Sequence, residues 1–440
     1  MTAPLRVGLL GVGTVGQGVL RVLARNRQEI ERRAGRPVVV THAAARDADK
    51  PRDCDLSAVR FSTDAQAVVE ADCDVVVELI GGIEPARRLV LDALARGRAV
   101  VCANKALIAQ HGNEIFAAAR KAGALFGFEA AVAGGIPIIK VLREGLAANR
   151  IDQVTGIING TSNYILTQMA ARGQAFAEAL AEAQRLGYAE ADPRFDVEGI
   201  DAAHKLAILA AIAFGMPLRF DAVATEGISG VAPQDIQLAR ELGYRIKPLA
   251  LAKRIARAPE AAVELRVHPT LVPAEHLLAK TDGALNAVRV HGDAVGQTVY
   301  VGRGAGAEAT ASAVIADLID VARWQGADPR HHVPALGFHP QALQHPRVAS
   351  LDEIESAYYL RLRVADTPGV LRAITSILAE LEISVEAILQ KEPREHEDAT
   401  LAIITSVVNE RRCDQARSKM QSLPFVREPV TRLRVEHFDV

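Results

Sequence analysis

The chain has 440 residues, with 51 Lys and Arg against 53 Asp and Glu, which gives a formal net charge of -2. At about 150 residues per domain this length predicts roughly three domains and excludes a single small binding module. Hydrophobic residues make up 49 % of the chain and charged residues 24 %, so it can bury a large core and is not disordered throughout. The near-neutral balance provides no basic field for nucleic acid or an anionic membrane, and neither is expected as a partner.

No apolar stretch approaches the roughly 20 residues that are needed to cross a bilayer, since the longest runs only from Leu206 to Phe214. The N-terminal residues show no basic segment ahead of an apolar signal core, so a cytoplasmic location is expected. The cysteines are scattered singly, without CxxC pairs, and predict neither a zinc site nor a disulfide framework. We interpret them as reduced thiols without a functional role: Cys54, Cys73, Cys102 and Cys413.

The first 130 residues alternate short β-rich apolar runs with longer helical patterns, which is the rhythm of parallel βαβ units. This rhythm predicts a Rossmann-type, doubly wound parallel sheet with helices on both faces. The predicted strands span 5–10, 38–45, 74–80, 99–103 and 125–129, and the predicted helices span 15–34, 84–96 and 105–122.

From about residue 131 to 300 the pattern changes to mixed helices and strands, which predicts a second, α+β domain ending in a strand at 298–302. A helix at 311–324 would return to the parallel sheet. Residues 325–355 are rich in Pro, Gly and His and are predicted to be a linker. The remaining chain predicts a ferredoxin-like βαββαβ domain, with strands at 358–364, 384–389, 400–408 and 430–435 and helices at 369–381 and 411–422.

A glycine-rich turn follows the first predicted strand and opens the first predicted helix. Its glycines permit a tight turn, close approach of a pyrophosphate and packing of the helix on the sheet, while N–H groups at the helix start face the anion. A turn without a ligand is the structural alternative, but the strand before and the helix after it favour a dinucleotide. The residues of this turn are Gly11, Val12, Gly13, Thr14, Val15 and Gly16.

The second predicted strand ends at Ala45 and is followed by Arg46 and Asp47. An acid at this point would bind the ribose hydroxyls of NAD, whereas Arg46, with Lys50 nearby, would pair with the 2'-phosphate of NADP. A solvated charge cluster is the alternative interpretation. We interpret the pattern as favouring NADP over NAD.

Two lysines are candidates for catalysis. Lys105 follows the fourth predicted strand, at the sheet edge where ligands of open α/β sheets bind, and a cation in the first turn of a helix opposes the macrodipole. Lys205 shares a helical stripe with Asp201, on a helix whose later turns are apolar on every side. Burial disfavours the charged ammonium and so favours proton donation, with Asp201 orienting the amine. The alternatives are a lysine of no functional consequence at 105 and an exposed ion pair at 201 and 205.

Further polar residues flank these candidates. Glu190, Asp192 and Asp196 lie in a loop with alternating acids and would bind a substrate ammonium, or would serve only turn chemistry. Thr161 or Ser162 is predicted to cap a helix whose exposed N–H groups suit a carboxylate. We interpret His204 as a packed polar residue.

Six segments carry a resemblance that extends over essentially the whole chain: GVGTVG at 11–16, NKA at 104–106, EAAVAGGIPII at 129–139, INGTSNYIL at 158–166, GYAEADPRFDVEGIDAAHKL at 187–206 and GRGAGAEATASAV at 302–314. On these segments the chain closely resembles homoserine dehydrogenase of the long form, which carries a C-terminal ACT domain. The resemblance implies reversible NAD(P)-dependent interconversion of L-homoserine and L-aspartate 4-semialdehyde. This reaction belongs to the aspartate-derived pathway to threonine, methionine and isoleucine.

The resemblance also implies individual roles. Lys205 would be the proton donor and acceptor, Asp201 would support it, and Lys105 would act beside the nicotinamide. Glu190 would bind the substrate ammonium, in a pocket also lined by Gly160, Thr161, Tyr188 and Asp196. Gly306 would lie near the cofactor. A monovalent cation, usually assigned to sodium, would be bound by Glu129, Val132, Gly134 and Ile136, mostly through backbone carbonyl oxygens.

At the C-terminal end, the segment from Asp366 to Leu371 resembles the ACT loop, which in this family commonly senses threonine and thereby allows allosteric regulation. Two positions depart from the family pattern: Glu382, where many ligand-binding ACT domains have Asn, and Ala309, where Pro is frequent. The resemblance further implies a homodimer or homotetramer. It divides the chain into a dinucleotide domain (1–130 and 305–325), a substrate and dimerisation domain (131–304), a linker (326–355) and an ACT domain (356–440).

Two rival functions remain compatible with the residues. The first is a non-catalytic sensor that reads NADPH at the glycine turn and an amino acid in its C-terminal domain. The second is an amino-acid or imine-forming dehydrogenase, which would depend on ammonia.

Overall fold

The computed structural model describes residues 3–255, 261–391 and 398–438. Its strands, in chain order, are β1 (Leu5–Leu10), β2 (Val38–Ala44), β3 (Arg60–Ser62), β4 (Val75–Glu78), β5 (Ala99–Cys102), β6 (Phe126–Gly127), β7 (Ile151–Ile157), β8 (Ala224–Thr225), β9 (Tyr244–Ile255), β10 (Ala262–Pro273), β11 (Leu285–Gly292), β12 (Gly296–Arg303), β13 (Arg347–Val348), β14 (Glu355–Val364), β15 (Val385–Lys391), β16 (Ala399–Thr405), β17 (Val408–Asn409) and β18 (Thr431–Val435).

Its α-helices are α1 (Thr14–Arg25), α2 (Arg27–Ala34), α3 (Ala65–Glu70), α4 (Ala86–Ala95), α5 (Lys105–Ala122), α6 (Ile138–Lys140), α7 (Gly160–Arg172), α8 (Phe176–Arg185), α9 (Arg194–Val197), α10 (Ile200–Phe214), α11 (Pro233–Glu241), α12 (Ala307–Trp324), α13 (Val370–Glu380) and α14 (Glu410–Gln421). Within the described ranges, no helix combines the length and the apolarity that crossing a membrane requires. The chain forms two compact units. The first unit comprises Met1–Ile158, Asp201–Val223 and Leu285–Pro346, and the second comprises Asn159–Ile200, Ala224–Ala284 and Arg347–Val440.

The first unit contains a six-stranded sheet in the order β3-β2-β1-β4-β5-β6, and all of its strand pairs are parallel. This is the strand order of Rossmann-type folds, so the predicted doubly wound sheet is confirmed. Successive residues of β1 face opposite sides: Leu5, Val7 and Leu9 join a core cluster that includes α1 and α12, whereas a Cβ at Gly8 would contact Val68 of α3. Helices therefore cover both faces, as the continuous apolar runs predict.

Helix α12 returns to the parallel sheet, as predicted for 311–324. Its buried residues Val314 and Leu318 belong to the same core cluster as the inward-facing residues of β1. A Cβ at Gly18 of α1 would lie only 2.4 Å from the backbone oxygen of Ala307, so α1 and α12 approach closely there. The chain segment after the substrate region thus completes the dinucleotide fold.

The first unit also holds an antiparallel group in which β11 pairs with β7 and β12. Helix α10 belongs to this unit from Asp201 onward, and each of its residues from Asp201 to Phe214 is buried. A helix that is apolar around its whole circumference has no face that prefers water. The predicted buried helix is therefore confirmed.

In the second unit, β9 and β10 form a long antiparallel pair, and β18 adds in parallel to β10. The sheet continues as β18-β14-β16-β15, which is the strand order 4-1-3-2 of a ferredoxin-like domain. Tyr358 and Leu360 of β14 pack on α13 and α14, while Tyr359 faces a cluster that contains residues of α7 and α11. Because both faces of this sheet are covered, β14 is buried along almost its whole length.

Several elements differ from the predictions. The helix predicted over 15–34 is interrupted at Asn26, whose φ of -105° and ψ of 20° end α1 and start α2. Strand β3 and helix α3 were not predicted, because three partly exposed residues and a six-residue helix leave little periodicity. The strand predicted over 125–129 ends at Gly127, and Glu129 begins a 3-10 turn, so its placement at a strand end was wrong. In the C-terminal domain, the strand predicted over 400–408 ends at Thr405.

Candidate active site

The glycine turn connects β1 to α1 and leaves its centre open. Gly11 has a φ of +101°, and a Cβ there would lie 2.6 Å from the backbone oxygen of Leu79. A Cβ at Gly16 would lie 2.2 Å from the backbone oxygen of Gly11, whereas the space beside Gly13 contains no atom within 4 Å. Two glycines thus allow the turn to fold tightly, and the third leaves room for a ligand at the start of α1. This cradle fits a dinucleotide pyrophosphate.

The end of β2 lies against the same turn, since the Gly11 N–H donates to the Ala44 oxygen at 2.9 Å. Arg46 follows two residues later. The Asp47 carboxylate accepts the backbone N–H groups of Asp49 and Lys50 at 2.9 and 3.1 Å, and so closes its own turn. Asp47 is therefore engaged as a turn residue through one of its two carboxylate oxygens.

Gly306 precedes α12, with a φ of +126° that disfavours other residues. The next residue, Ala307, contacts α1 at Gly18, in the second turn of the helix that the glycine turn opens. The structure thus places Gly306 near the predicted cofactor cradle within the first unit.

Two lysines share one buried carboxylate at the start of α10. Lys205 Nζ lies 2.7 Å from Asp201 Oδ2 and donates to the Ile158 oxygen at 2.7 Å. Lys105 Nζ lies 3.0 Å from the other oxygen, Asp201 Oδ1. The side chains of Asp201 and Lys205 are only 4 % and 11 % exposed, while that of Lys105 is 35 % exposed. The exposed ion pair considered from the sequence is thus excluded, and the arrangement orients two ammonium groups on one acid.

Asn104 holds the start of α5, on which Lys105 is the first residue. Its Oδ1 accepts the Leu107 N–H at 3.1 Å, and its Nδ2 donates to the Gly82 oxygen at 2.6 Å. The segment after β4 is therefore tied to Lys105 by this cap and to the glycine turn by the contact at Gly11. The carboxyl ends of β1, β4 and β5 thus meet around one site, as expected for this fold.

Glu78 is a buried residue of this edge that no sequence pattern indicated. Its Oε1 accepts the N–H groups of Ile80 and Gly81 at 2.8 and 3.1 Å, and Cys102 Sγ donates to its Oε2 at 3.1 Å. Burial raises the pKa of Glu78. Cys102, interpreted from the sequence as a thiol without a role, therefore supports the carboxyl group that shapes the segment after β4. The one sequence signal for Glu78 was an acidic residue within an otherwise apolar stretch of the strand predicted over 74–80.

His204 is packed against neighbouring side chains, as the sequence indicated. Its ring stacks on Phe220 with 4.2 Å between centroids, and its Nε2 lies 3.2 Å from Gln110 Nε2. Burial lowers the pKa of His204 to about 4, so the ring is neutral at physiological pH.

In the second unit, Asn159 rather than Thr161 or Ser162 caps α7, so that prediction was wrong. Asn159 Oδ1 accepts the Ser162 N–H at 2.7 Å, and its Nδ2 donates to Asp196 Oδ1 at 2.8 Å. Thr161 Oγ1 donates to the Tyr188 oxygen at 2.7 Å. An Asn preceding a helix is a strong capping signal that the segment INGTS contained.

These contacts bring together four residues predicted to line the substrate pocket: Gly160, Thr161, Tyr188 and Asp196. Gly160 is the first residue of α7, and a Cβ there would lie 2.9 Å from the Ala284 oxygen. Glu190 lies on the same loop as Tyr188, and Gln184 Nε2 donates to its backbone oxygen at 3.1 Å while its side chain is exposed. The second unit thus presents a helix N-terminus together with acidic side chains.

The predicted cation ligands lie on a tight turn of the first unit. Both carboxylate oxygens of Glu129 accept backbone N–H groups, from Ile139 at 3.0 Å and Lys140 at 2.8 Å. Burial, followed by the nearby carboxylate of Asp317, raises the pKa of Glu129 to about 7. Ala133 and Gly134 have φ angles of +53° and +31°, which bend the turn sharply. The described part of the chain contains no cluster of three acidic, His or Cys side chains that could hold a metal ion.

The predicted ACT loop precedes α13. Glu382, which departs from the family pattern, has a φ of +53°, a conformation in which Asn is common and Glu is not. Its carboxylate pairs with Arg412 at 2.9 Å. The charge at this position is thus satisfied by the domain itself.

Comparisons with known proteins agree with this architecture. Residues 11–129 match the model of the homoserine dehydrogenase NAD-binding domain, residues 137–319 match that of homoserine dehydrogenase, and residues 358–425 match the ACT domain. The homoserine dehydrogenase of Pseudomonas aeruginosa is 53 % identical over 99 % of this chain and 100 % of its own length.

Solved structures give the same result. The crystal structure of a homoserine dehydrogenase from Thiobacillus denitrificans superposes with a TM-score of 0.92 at 54 % identity, covering 99 % of this chain and 98 % of that one. A hyperthermophilic archaeal homoserine dehydrogenase in complex with NADPH matches with a TM-score of 0.60 at 25 % identity, covering 74 % of this chain and 100 % of that one. The chain therefore belongs to the homoserine dehydrogenase family of oxidoreductases, with an NAD(P)-binding domain, a catalytic domain and an ACT domain.

Proposed function

We propose that this chain interconverts L-homoserine and L-aspartate 4-semialdehyde in the pathway to threonine, methionine and isoleucine, with Lys205 as the proton donor and acceptor. One observation carries the proposal: Lys205 and Lys105 share the buried carboxylate of Asp201 at 2.7 and 3.0 Å. An amine held in this way is oriented and shielded from water, which suits proton transfer.

Lys205, Asp201 and Lys105 have separate roles in the proposed reaction. Reduction of an aldehyde places negative charge on its oxygen, and Lys205 donates a proton to that oxygen. Asp201 keeps the amine in position and balances its charge, while Lys105 stabilises the developing charge by its field. In the reverse direction Lys205 accepts the hydroxyl proton of homoserine. When bound, the dinucleotide would supply the hydride for reduction of the aldehyde and would accept a hydride from homoserine in the reverse direction.

The cofactor would be held by the glycine turn, with its pyrophosphate in the open space beside Gly13 and at the N-terminus of α1. Because Asp47 is engaged in its own turn, we propose that Arg46 selects NADP over NAD. The archaeal relative, which was solved with NADPH, supports the same preference.

The substrate is an amino acid with an ammonium and a carboxylate. We assign Glu190 and Asp196 to the ammonium, and the N–H groups at the start of α7, at Gly160 and Thr161, to the carboxylate. Tyr188 would line the same pocket. In this assignment the substrate ammonium contacts acidic side chains and the substrate carboxylate contacts a helix N-terminus, all of which belong to the second unit.

A monovalent cation, most simply sodium, would be held by carbonyl oxygens of Glu129, Val132, Gly134 and Ile136. Two arguments support this proposal: the Glu129 carboxylate is already occupied by backbone N–H groups, and neutral carbonyl oxygens suit an ion with a single charge. We further propose a homodimer or homotetramer, in which threonine acts as an effector through the ACT domain. A titration of steady-state turnover with threonine tests that regulation.

The test of the proposed chemistry is Lys205→Ala. We expect the variant to bind NADPH normally but to lose at least about 1,000-fold in turnover, since both proton transfer and its orientation are removed. Lys247→Ala is a matched control, because Lys247 is also buried and also pairs with a carbonyl oxygen, at Thr281, and with an aspartate, Asp282, each at 2.7 Å.

The two rival functions give different results in the same assays. A sensor would bind NADPH without any homoserine-dependent turnover in the wild-type enzyme. An amino-acid dehydrogenase would require ammonium. Unaltered turnover in Lys205→Ala would overturn the role of Lys205 whatever the other variants show.

A further inference from the structure

The carboxylate of Glu226 joins the ACT domain to the substrate region within the second unit. Glu226 follows β8, and its Oε1 accepts from Arg434 Nη2 at 2.8 Å and from Arg432 Nη2 at 3.2 Å. Both arginines lie on β18, the strand by which the ACT sheet adjoins β10. One acid of the catalytic region is thus held by two cations of the ACT domain.

The two arginines are themselves immobilised. Arg434 Nε donates to Glu410 Oε2 at 2.8 Å, and Arg432 Nη1 lies 2.9 Å from Glu410 Oε1, at the start of α14. The Arg434 side chain is only 1 % exposed, and that of Arg432 is 11 % exposed. Because charge-assisted pairs with a buried guanidinium are directional, they give the Glu226 carboxylate a defined position.

Residues 226–229 contact the C-terminal end of α9 directly. The Ile228 N–H donates to the Val197 oxygen at 2.9 Å, and Ser229 Oγ donates to Glu198 Oε1 at 3.2 Å. A Cβ at Gly227 would lie 2.8 Å from the Val197 oxygen, so the two segments are in close contact. The segment that carries Glu226 therefore supports the C-terminal end of α9.

Helix α9 depends on such support. It has only four residues, too few for a helix to be stable by itself. Its third residue is Asp196, which accepts a hydrogen bond from Asn159, the cap of α7, at 2.8 Å. A displacement of α9 would therefore move a carboxylate assigned to the substrate ammonium.

We propose that Glu226 is a positioning residue for the substrate site, through which β18 of the ACT domain holds α9 and Asp196 in place. This inference rests on the proposed function, because it takes the role of Asp196 from there. It makes the ACT domain part of the scaffold for the amino-acid substrate. Cofactor binding, which the first unit provides, does not depend on this support.

The test is Glu226→Gln, which removes the charge and keeps the size of the side chain. We expect the KM for homoserine to rise about three- to tenfold, the range for changes that act on a ligand site through intervening contacts, with kcat and the KM for NADP within twofold. Glu241→Gln is the matched control. Glu241 also pairs with a cation of the ACT domain, Lys391, and its exposed fraction of 32 % is close to the 37 % of Glu226, but it lies at the end of α11.

A double-mutant cycle with Asp196→Asn separates positioning from general destabilisation. If Glu226 acts through Asp196, the second substitution raises the homoserine KM of Asp196→Asn by less than twofold, a clear departure from additivity. Additive effects, or an equal rise in Glu241→Gln, would overturn the proposal.

The cycle also distinguishes the two assignments. A raised KM in Asp196→Asn with an unaltered KM in Glu226→Gln would refute the positioning role alone. An unaltered KM in Asp196→Asn would refute the substrate assignment and the positioning role together.

Discussion

Substitution of Asp201 by Asn removes the charge that two ammonium groups share while keeping the shape of the side chain. Lys205 retains its bond to the Ile158 oxygen, but the negative charge that lies 2.7 Å from Lys205 and 3.0 Å from Lys105 is removed. One of the two ammonium groups then faces an amide NH2 group, and the other keeps a neutral oxygen as its acceptor. An orienting group of this kind contributes about 100-fold to proton transfer, which corresponds to about 2.7 kcal/mol of transition-state stabilisation. We expect kcat to fall by about that factor.

The assay follows NADPH formation from homoserine at saturating NADP, and cofactor binding is measured separately by fluorescence. Asp221→Asn is the control, because Asp221 pairs with Arg219 at 3.5 Å and its side chain is 76 % exposed. The control should retain kcat within twofold. A kcat of Asp201→Asn within threefold of the wild-type value, together with normal NADPH binding, would show that the shared carboxylate has no catalytic importance. Our mechanism would then be wrong.

Three further predictions concern the cradle, the cofactor and acid stability. Gly16→Ala places a methyl group 2.2 Å from a backbone oxygen, so the Kd for NADPH should rise at least about tenfold, whereas Gly145→Ala, with no atom within 4 Å, should leave the Kd unchanged. Arg46→Gln should raise the KM for NADP about tenfold and leave that for NAD unaltered, and equal effects on both cofactors would contradict its assignment. Burial opposes ionisation of Glu410, but the hydrogen bond from Arg434 lowers its pKa overall. The stabilisation that ionised Glu410 provides is complete at neutral pH and is lost as the pH falls through its folded-state pKa. The difference in Tm between wild type and Glu410→Gln should therefore shrink in acid. A Tm difference that stays constant with pH would contradict this role of Glu410.

The parts of the fold that the sequence predicted well are those in which neighbouring residues carry the signal. Helix α5 spans Lys105–Ala122 as predicted, because Asn104 caps it and Gly123 ends it in the left-handed conformation. The continuous apolar runs of β1 and β5 likewise mark strands that are buried on both faces. Strand β3 escaped prediction because Arg60–Ser62 derives its conformation from pairing with β2, which is information from a distant part of the chain.

The same distinction separates the predicted site residues from those that were not found. Asp201 and Lys205 are four positions apart on one helix, so their pairing follows from helical geometry alone. That Lys105 reaches the other oxygen of the same carboxylate could not be read from spacing, since the fold brings α5 to α10. Asn159 gave a local signal, an amide before a helix, but the hydroxyl residues after it competed for the same role.

Residues that act through backbone groups or through other side chains leave the weakest trace of all. Glu78 serves the site by accepting N–H groups of the segment after its own strand, and in the sequence it is merely an acid within a predicted strand. Glu226 has no pattern around it, because its partners Arg432 and Arg434 belong to a domain that the chain reaches some 200 residues later. Catalytic side chains must be of a particular chemical type, whereas a support needs only to be in the right place. For that reason the resemblance to a family locates the reacting groups, and only the folded chain shows what holds them.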